Sequence, residues 1–230
     1  MVTRERDTGA EGKDEREFLD RVSAELCSAV LSDVLDDLGY RAQALPWEIR
    51  SLGRLSRMAG RAATLEVVET DVLPATPYQT LMALLDALVP GEVVVCAAHA
   101  STRSAYWGDL LSTCAVSRGA RGVVIDGLCR DSERIRETAL AVFARGTAPT
   151  DSKGRLEAVG LRGRVEVGAV QIDDGDLIVA DTDGCVAVPR AIESEVIDRA
   201  RRKLRGEDDV RRRLRAGESI VKVFSEEGVL

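Results

Sequence analysis

The chain has 230 residues, 45% apolar and 31% charged, an ordinary composition for a soluble protein with a real core, and a length that favours one domain over two. Its 32 Lys and Arg against 39 Asp and Glu leave a formal charge of −7, which argues against a general nucleic-acid coat, because such binding needs a net basic footprint. No apolar run has the length of a membrane span, and Cys27, Cys96, Cys114, Cys129 and Cys185 form no CxxC pair, so the chain reads as cytoplasmic with reduced thiols.

Residues 1–17 are charged and lack the apolar segment of a secretory signal. They read as a flexible charged N-terminal arm in front of a single domain over 18–230. In 18–38, Val22, Leu26, Val30, Leu31, Val34, Leu35 and Leu38 recur at helical spacing until Gly39, as one helix or two short ones. Residues 60–69 alternate as a strand, and 77–92 read as a helix closed by Pro90 and Gly91. "VVVCAA" (93–98) is a buried strand, followed by "HASTRSAYWG" as a loop. A helix over 109–119 comes next, then the strand "GVVIDG", the helix "DSERIRETA" and a short strand over 141–146. Three further β segments, "GRVEVGAVQI", "DLIVAD" and "CVAVP", are joined by the turn signals "DDG" and "TDG". From Pro189 to Leu230 the chain reads as helical, with breaks at Gly206 and Gly217. The order strand, helix, strand over 93–127 is that of a parallel pair with a covering helix. The later strands have no helices between them. Together they predict an α/β domain with a central curved, barrel-like mixed sheet and a helical C-terminus.

The chemistry gathers where two of these strands end. The helix opening at "WGDLL" offers unpaired amides, including those of Leu110 and Leu111, and its dipole attracts an anion. Gly108 permits close backbone approach there. Parallel neighbours joined by a helix end on the same side, so Arg130 and Asp131 face the same crevice as Gly108 and Asp109. Arg130 suits a carboxylate, which it grips with two parallel hydrogen bonds. Asp131 suits a hard cation such as Mg²⁺ that keeps several waters, and Asp109 suits a metal-bound water. The competing reading is that Asp109 and Asp131 cap helices while Arg130 pairs with a neighbour. Residue types alone leave the two readings level.

The stretch "YWGDLLSTCAVSRGARGVVIDGLCRD" (106–131) resembles the signature of a family with two named branches. These are the metal-dependent 4-hydroxy-4-methyl-2-oxoglutarate aldolases and the regulator of ribonuclease activity A, together the RraA-like proteins. "GRAATLEV", "AVFARGTAPTDSKGR", "DGDLIVADTDGCVAVP" and the C-terminal "RGEDDVRRRLRAGESIVKVFSEEGVL" stand in the matching order, so the resemblance covers residues 20–230. It implies a layered β/β/α fold of the swivelling phosphohistidine-domain type. It implies that Gly108, Asp109, Leu110, Leu111 and Arg130 hold a pyruvate-like 2-oxo acid and that Asp131 binds a divalent cation, Mg²⁺ or Mn²⁺. An acidic residue of a neighbouring subunit completes such a site, and Glu207 is the best match. Arg130, Asp109 and Glu207 are the expected catalytic residues. The assembly implied is a homotrimer or homohexamer with sites at subunit interfaces, without nucleic-acid or membrane partners.

The implied reaction is aldol cleavage of 4-hydroxy-4-methyl-2-oxoglutarate or a related 4-hydroxy-2-oxo acid, with oxaloacetate decarboxylation through the same pyruvate enolate. No lysine near the motif suggests a Schiff base; Lys153 is the nearest downstream. The rival is a non-enzymatic regulator that binds an RNA-decay enzyme. That branch departs from the Arg-Asp pair, so Asp131 favours the enzyme. Other motifs carry less. His99, the one histidine, excludes multi-His metal sites and reads as a loop residue near the pocket. "DTDG" and "DDGD" read as turns rather than calcium loops, and "RARRKLR" and "RRRLR" as solvated helix faces.

Overall fold

The computed structural model describes residues 10 to 228. Two helices come first, α1 (Ala10–Glu25) and α2 (Ser28–Asp37). They are followed by β1 (Arg50–Ser51), β2 (Met58–Glu69), α3 (Gln79–Asp86), β3 (Glu92–Trp107), α4 (Asp109–Ser117) and β4 (Gly122–Cys129). Next come α5 (Ser132–Ile135), β5 (Ala141–Thr147), β6 (Leu156–Leu161), β7 (Val165–Val167) and β8 (Val170–Ile172). The chain continues through β9 (Leu177–Asp181), β10 (Gly184–Val188), α6 (Glu193–Arg215) and α7 (Ile220–Glu227).

The main sheet has eight strands in the order β1-β5-β4-β3-β2-β9-β10, with β6 beside β2. Strands β2, β3, β4 and β5 run parallel, with α4 as the crossover from β3 to β4. Strands β1, β6, β9 and β10 join antiparallel. The segment 44–51 touches both sheet edges, because Ala44 bridges to Val186 of β10 while Arg50 and Ser51 pair with β5. The sheet thus curls into a nearly closed barrel, an arrangement that leaves few exposed edges.

Alternation along the strands sorts the core into layers. Val93, Val95 and Ala97 share one cluster with Val124, Phe143 and the valines of the β7–β8 hairpin. Val94, Cys96 and Ala98 face the other way, with Val123, Ile125 and Val142, under Leu81, Leu84 and Leu85 of α3. A third layer packs Leu19, Val22, Leu31 and Leu35 with Val196, Ile197 and Ala200 of α6 against β9 and β10. This is the layered α/β domain with a curved mixed sheet and helical C-terminus that the sequence predicts.

Several boundaries differ from expectation. Residues 10–17, assigned to the flexible arm, belong to α1; residues 1–9 of that arm lie outside the described residues. That part of the helix is tied down, since Arg61 of β2 bonds Glu15 and lies over the Phe18 ring. "HASTRSAYW" is strand rather than loop. His99 and Ala100 take left-handed φ values of 50° and 57°, forming a bulge past which β3 continues to Trp107. The bulge re-aims the strand and breaks the alternation that would have announced it. Of "DSERIRETA" (131–139) only Ser132–Ile135 is helical. Gly206 does not interrupt α6, a cost of about 1 kcal/mol that the packed helix absorbs. Gly217, at φ 84°, does end the helical run.

Candidate active site

The ends of β3 and β4 are laced together before any side chain is considered. The Arg130 amide donates to the Trp107 carbonyl at 2.9 Å. Trp107 is buried, and its indole Nε1 donates to Ser112 Oγ at 2.9 Å. Ser112 Oγ in turn donates to the Gly108 carbonyl at 3.0 Å. This fixes the strand-to-helix corner at the start of α4. Gly108 is extended there, so its glycine is required by space rather than by dihedral angle. A Cβ at 108 would lie 2.6 Å from Asp131 Oδ2 and 3.3 Å from Arg130 Cγ.

Asp131 follows β4 with φ 59° and ψ 34°. This is a left-handed conformation that aspartate tolerates better than most residues but that still stores strain of about 1–3 kcal/mol. Its side chain makes no capping bond to α5. Instead Oδ2 lies 3.4 Å from the Asp109 amide and 3.5 Å from Arg130 Nε. Arg130 Nη1 donates to Asp151 Oδ1 at 3.0 Å. Asp109 Oδ2 lies 3.6 Å from Arg134 Nη1. Gly108, Asp109, Leu110, Leu111, Arg130 and Asp131 line one cavity of about 210 Å³, with Tyr78, Leu81, Met82, Trp107 and Asp151 among its other walls. The side chains of Arg130 and Asp131 are each 37% exposed, open to a ligand yet held on both flanks.

Tyr78 and Asp151 carry no signal in the sequence that marks them for this site. The Tyr78 hydroxyl donates to Asp151 Oδ2 at 2.6 Å, and the Lys153 amide donates to the same oxygen at 3.0 Å. Burial, and then the hydrogen bond to Asp151, push the Tyr78 phenol up to about 12. Burial pushes the Asp151 carboxyl up, but the Tyr78 hydroxyl, the Lys153 amide and the Arg130 charge outweigh it and hold it below the usual carboxylate range. A neutral phenol thus donates to a carboxylate anion, which in turn accepts from the guanidinium. Asp151 does fall inside "AVFARGTAPTDSKGR", yet nothing in that stretch points back to Tyr78.

Two candidates lie elsewhere. Glu207 is on α6, which packs against α2 and α7, and its carboxylate is 3.7 Å from Arg211. It does not line this cavity. His99 bonds Glu66 at 2.6 Å and also stays outside the cavity wall.

Among the described residues, no group of three or more His, Cys, Asp or Glu gathers as a cation cage. Mg²⁺ and Mn²⁺ need no such cage, since they take one or two carboxylates and keep waters. Asp131 fits this need, because its one hydrogen bond falls on Oδ2 and Oδ1 makes none among the described residues.

The RraA-like profile, described as aldolase/RraA, matches residues 28–187. The chain belongs to the RraA-like family. One relative is a protein of Halalkalibacterium halodurans named putative 4-hydroxy-4-methyl-2-oxoglutarate aldolase. It is 32% identical over 183 residues, covering 80% of this chain and 81% of its own. A Thermus thermophilus protein named 4-hydroxy-4-methyl-2-oxoglutarate aldolase is 31% identical over 67% of this chain and 90% of its own. The crystal structure of Streptomyces coelicolor RraAS2, described as an unusual member of the RNase ES inhibitor RraA protein family, superposes with a TM-score of 0.78. It is 31% identical, over 86% of this chain and 98% of its own. RraA-like relatives thus carry both an enzyme's name and a regulator's. Among the described residues of this member, no helix is long and apolar enough to cross a membrane.

Proposed function

We propose that this RraA-like protein is a divalent-metal-dependent aldolase. Its substrate is 4-hydroxy-4-methyl-2-oxoglutarate or a related 4-hydroxy-2-oxo acid, cleaved to pyruvate, and oxaloacetate is decarboxylated at the same site. The observation that carries the reading is the placement of Arg130 and Asp131 side by side over Gly108, in one cavity with the first turn of α4.

The Leu110 and Leu111 amides and the α4 dipole receive the substrate's 1-carboxylate. Arg130 lies beside the keto oxygen and stabilises the negative charge that grows there as the C3–C4 bond breaks. Asp131 would hold a divalent cation, which when bound would supply Lewis acidity to the site. Asp109 holds the water that takes the proton from the 4-hydroxyl, and Glu207 of a neighbouring copy completes the acid–base set. The bonding pair of C3–C4 becomes the enolate of pyruvate, the C4 fragment leaves as a ketone, and a proton added at C3 gives pyruvate. With 4-hydroxy-4-methyl-2-oxoglutarate both products are pyruvate. With oxaloacetate the fragment lost is CO₂ and the enolate is the same. Leu81, Met82 and Trp107 wall the cavity and limit bulk water around the developing charge.

A second reading has a specific observation behind it. The likeness to Streptomyces coelicolor RraAS2 supports a regulator that binds an RNA-decay enzyme without chemistry of its own. Incubation with 4-hydroxy-4-methyl-2-oxoglutarate and Mg²⁺ separates the two readings. The aldolase yields two pyruvates per substrate consumed. Intact substrate, together with inhibition of an RNA-decay endonuclease by the same preparation, supports the regulator instead.

A further inference from the structure

We propose that Asp151 is a positioning residue for Arg130 and that Tyr78 is the brace that holds Asp151 in place. The inference rests on the aldolase reading and adds to it two residues that the motif does not contain.

A guanidinium has three nitrogens, and here two of them are engaged. Nε faces Asp131 at 3.5 Å and Nη1 donates to Asp151 at 3.0 Å. Among the described residues Nη2 makes no hydrogen bond and is left for a ligand. The long, rotamer-rich side chain is therefore held in one orientation before substrate arrives. Asp151 is itself over-determined. Its Oδ2 accepts from the Tyr78 hydroxyl at 2.6 Å and from the Lys153 amide at 3.0 Å, so Oδ1 is presented to Arg130. Tyr78 precedes α3 in a left-handed conformation, φ 65°, that non-glycine residues seldom adopt. Two strained non-glycine residues, Tyr78 and Asp131, thus line one cavity with Arg130.

Electrostatics indicate what this arrangement is for. An anion bonded to Arg130 weakens the pull of that arginine on a substrate carboxylate or keto oxygen. Asp151 therefore does not strengthen ground-state binding by charge. What it contributes is geometry, and geometry is read in turnover, where a misplacement of about 1 Å costs roughly 10²-fold. The same logic separates a brace for Arg130 from a simple loop tie, since only the brace depends on Arg130 being present.

The test is a double-mutant cycle on pyruvate release, with kcat and KM measured for wild type, Asp151→Asn, Arg130→Lys and the pair, alongside Tyr78→Phe and thermal melting of each. Asp151→Asn is expected to lower kcat by about 10- to 100-fold without raising KM. In the Arg130→Lys background the same change is expected to cost less than about threefold, because the group it positions is already gone. Tyr78→Phe is expected to lower kcat by about threefold to tenfold. A kcat within twofold of wild type in Asp151→Asn, or equal losses in both backgrounds, overturns the positioning role and leaves the aldolase reading standing. If Asp151→Asn melts early, Tyr78→Phe in the two backgrounds decides by the same criterion. A wild-type protein that releases no pyruvate overturns the aldolase reading, and the role falls with it.

Discussion

A methyl group at position 108 would sit 2.6 Å from Asp131 Oδ2, closer than real Cβ contacts allow, and the atom it meets belongs to the proposed cation ligand. Gly108→Ala is therefore expected to displace the Asp131 carboxylate. The measured outcome should be a fall in kcat/KM of at least about tenfold with a melting temperature near that of wild type; unchanged kcat/KM would show that this corner has slack. Arg130→Lys keeps the charge and loses the planar fork. A lost charge-assisted contact of about 1.5–3 kcal/mol predicts a fall of roughly 10- to 150-fold in kcat/KM for oxaloacetate. Equal kcat/KM values would place Arg130 outside the chemistry. The residues from Gly108 to Leu111 and the pair Arg130–Asp131 were legible in the sequence because each set is contiguous and each ends a strand of one parallel pair. Tyr78 and Asp151 were not, because their contact spans 73 residues and depends on a left-handed residue before α3. No local pattern encodes a meeting of that kind.

Helix α2 shows the same limit one level up. Its spacing of Val30, Leu31, Val34 and Leu35 was plain, and all four are buried. Its N-terminal cap was hidden. Cys27 offers no side-chain cap, and the start of the helix is held instead from β9 by Asp181. Asp181 Oδ2 accepts from the Ser28 amide at 2.7 Å, and Oδ1 accepts from the Ser28 hydroxyl at 2.6 Å. "DTDG" was readable as a turn, and Asp181 does accept from the Asp183 amide at 3.0 Å, but its second task lies 153 residues away. Asp181→Ala should destabilise the fold by about 1–3 kcal/mol in urea unfolding, the cost of leaving buried donors unpaired, while kcat stays at the wild-type value. A loss of activity at full stability would contradict this separation of α2 from the site. The extension of β3 was missed for a related reason. The left-handed pair His99–Ala100 shifts register, so the polar run after it reads as a loop while its backbone still pairs with β4.

At the scale of the whole molecule, the chain's own cavity contains Arg130, Asp109 and Asp131 but not Glu207. If Glu207 serves the neighbouring copy's cavity, Asp131→Ala and Glu207→Ala each inactivate, and mixed assemblies recover activity at interfaces where both residues are intact. Recovery in refolded mixtures is the expected outcome; verified mixed assemblies that stay inactive would remove Glu207 from the site. The barrel-like sheet was foreseeable from the alternation of strands and helices followed by a helix-free β run. Its near-closure was not, because it depends on the 44–51 segment touching one edge at a single bridge and the other through a two-residue strand. In the proposed aldolase, pyruvate release from this cavity requires Asp131 and a divalent cation together. The most direct measurement is the rate of pyruvate release from 4-hydroxy-4-methyl-2-oxoglutarate, for wild type and Asp131→Ala, each with Mg²⁺ and with excess chelator. Turnover is expected in wild type with Mg²⁺ alone, and background rates in the other three. Equal rates for wild type in Mg²⁺ and in chelator, or full activity in Asp131→Ala, would contradict it.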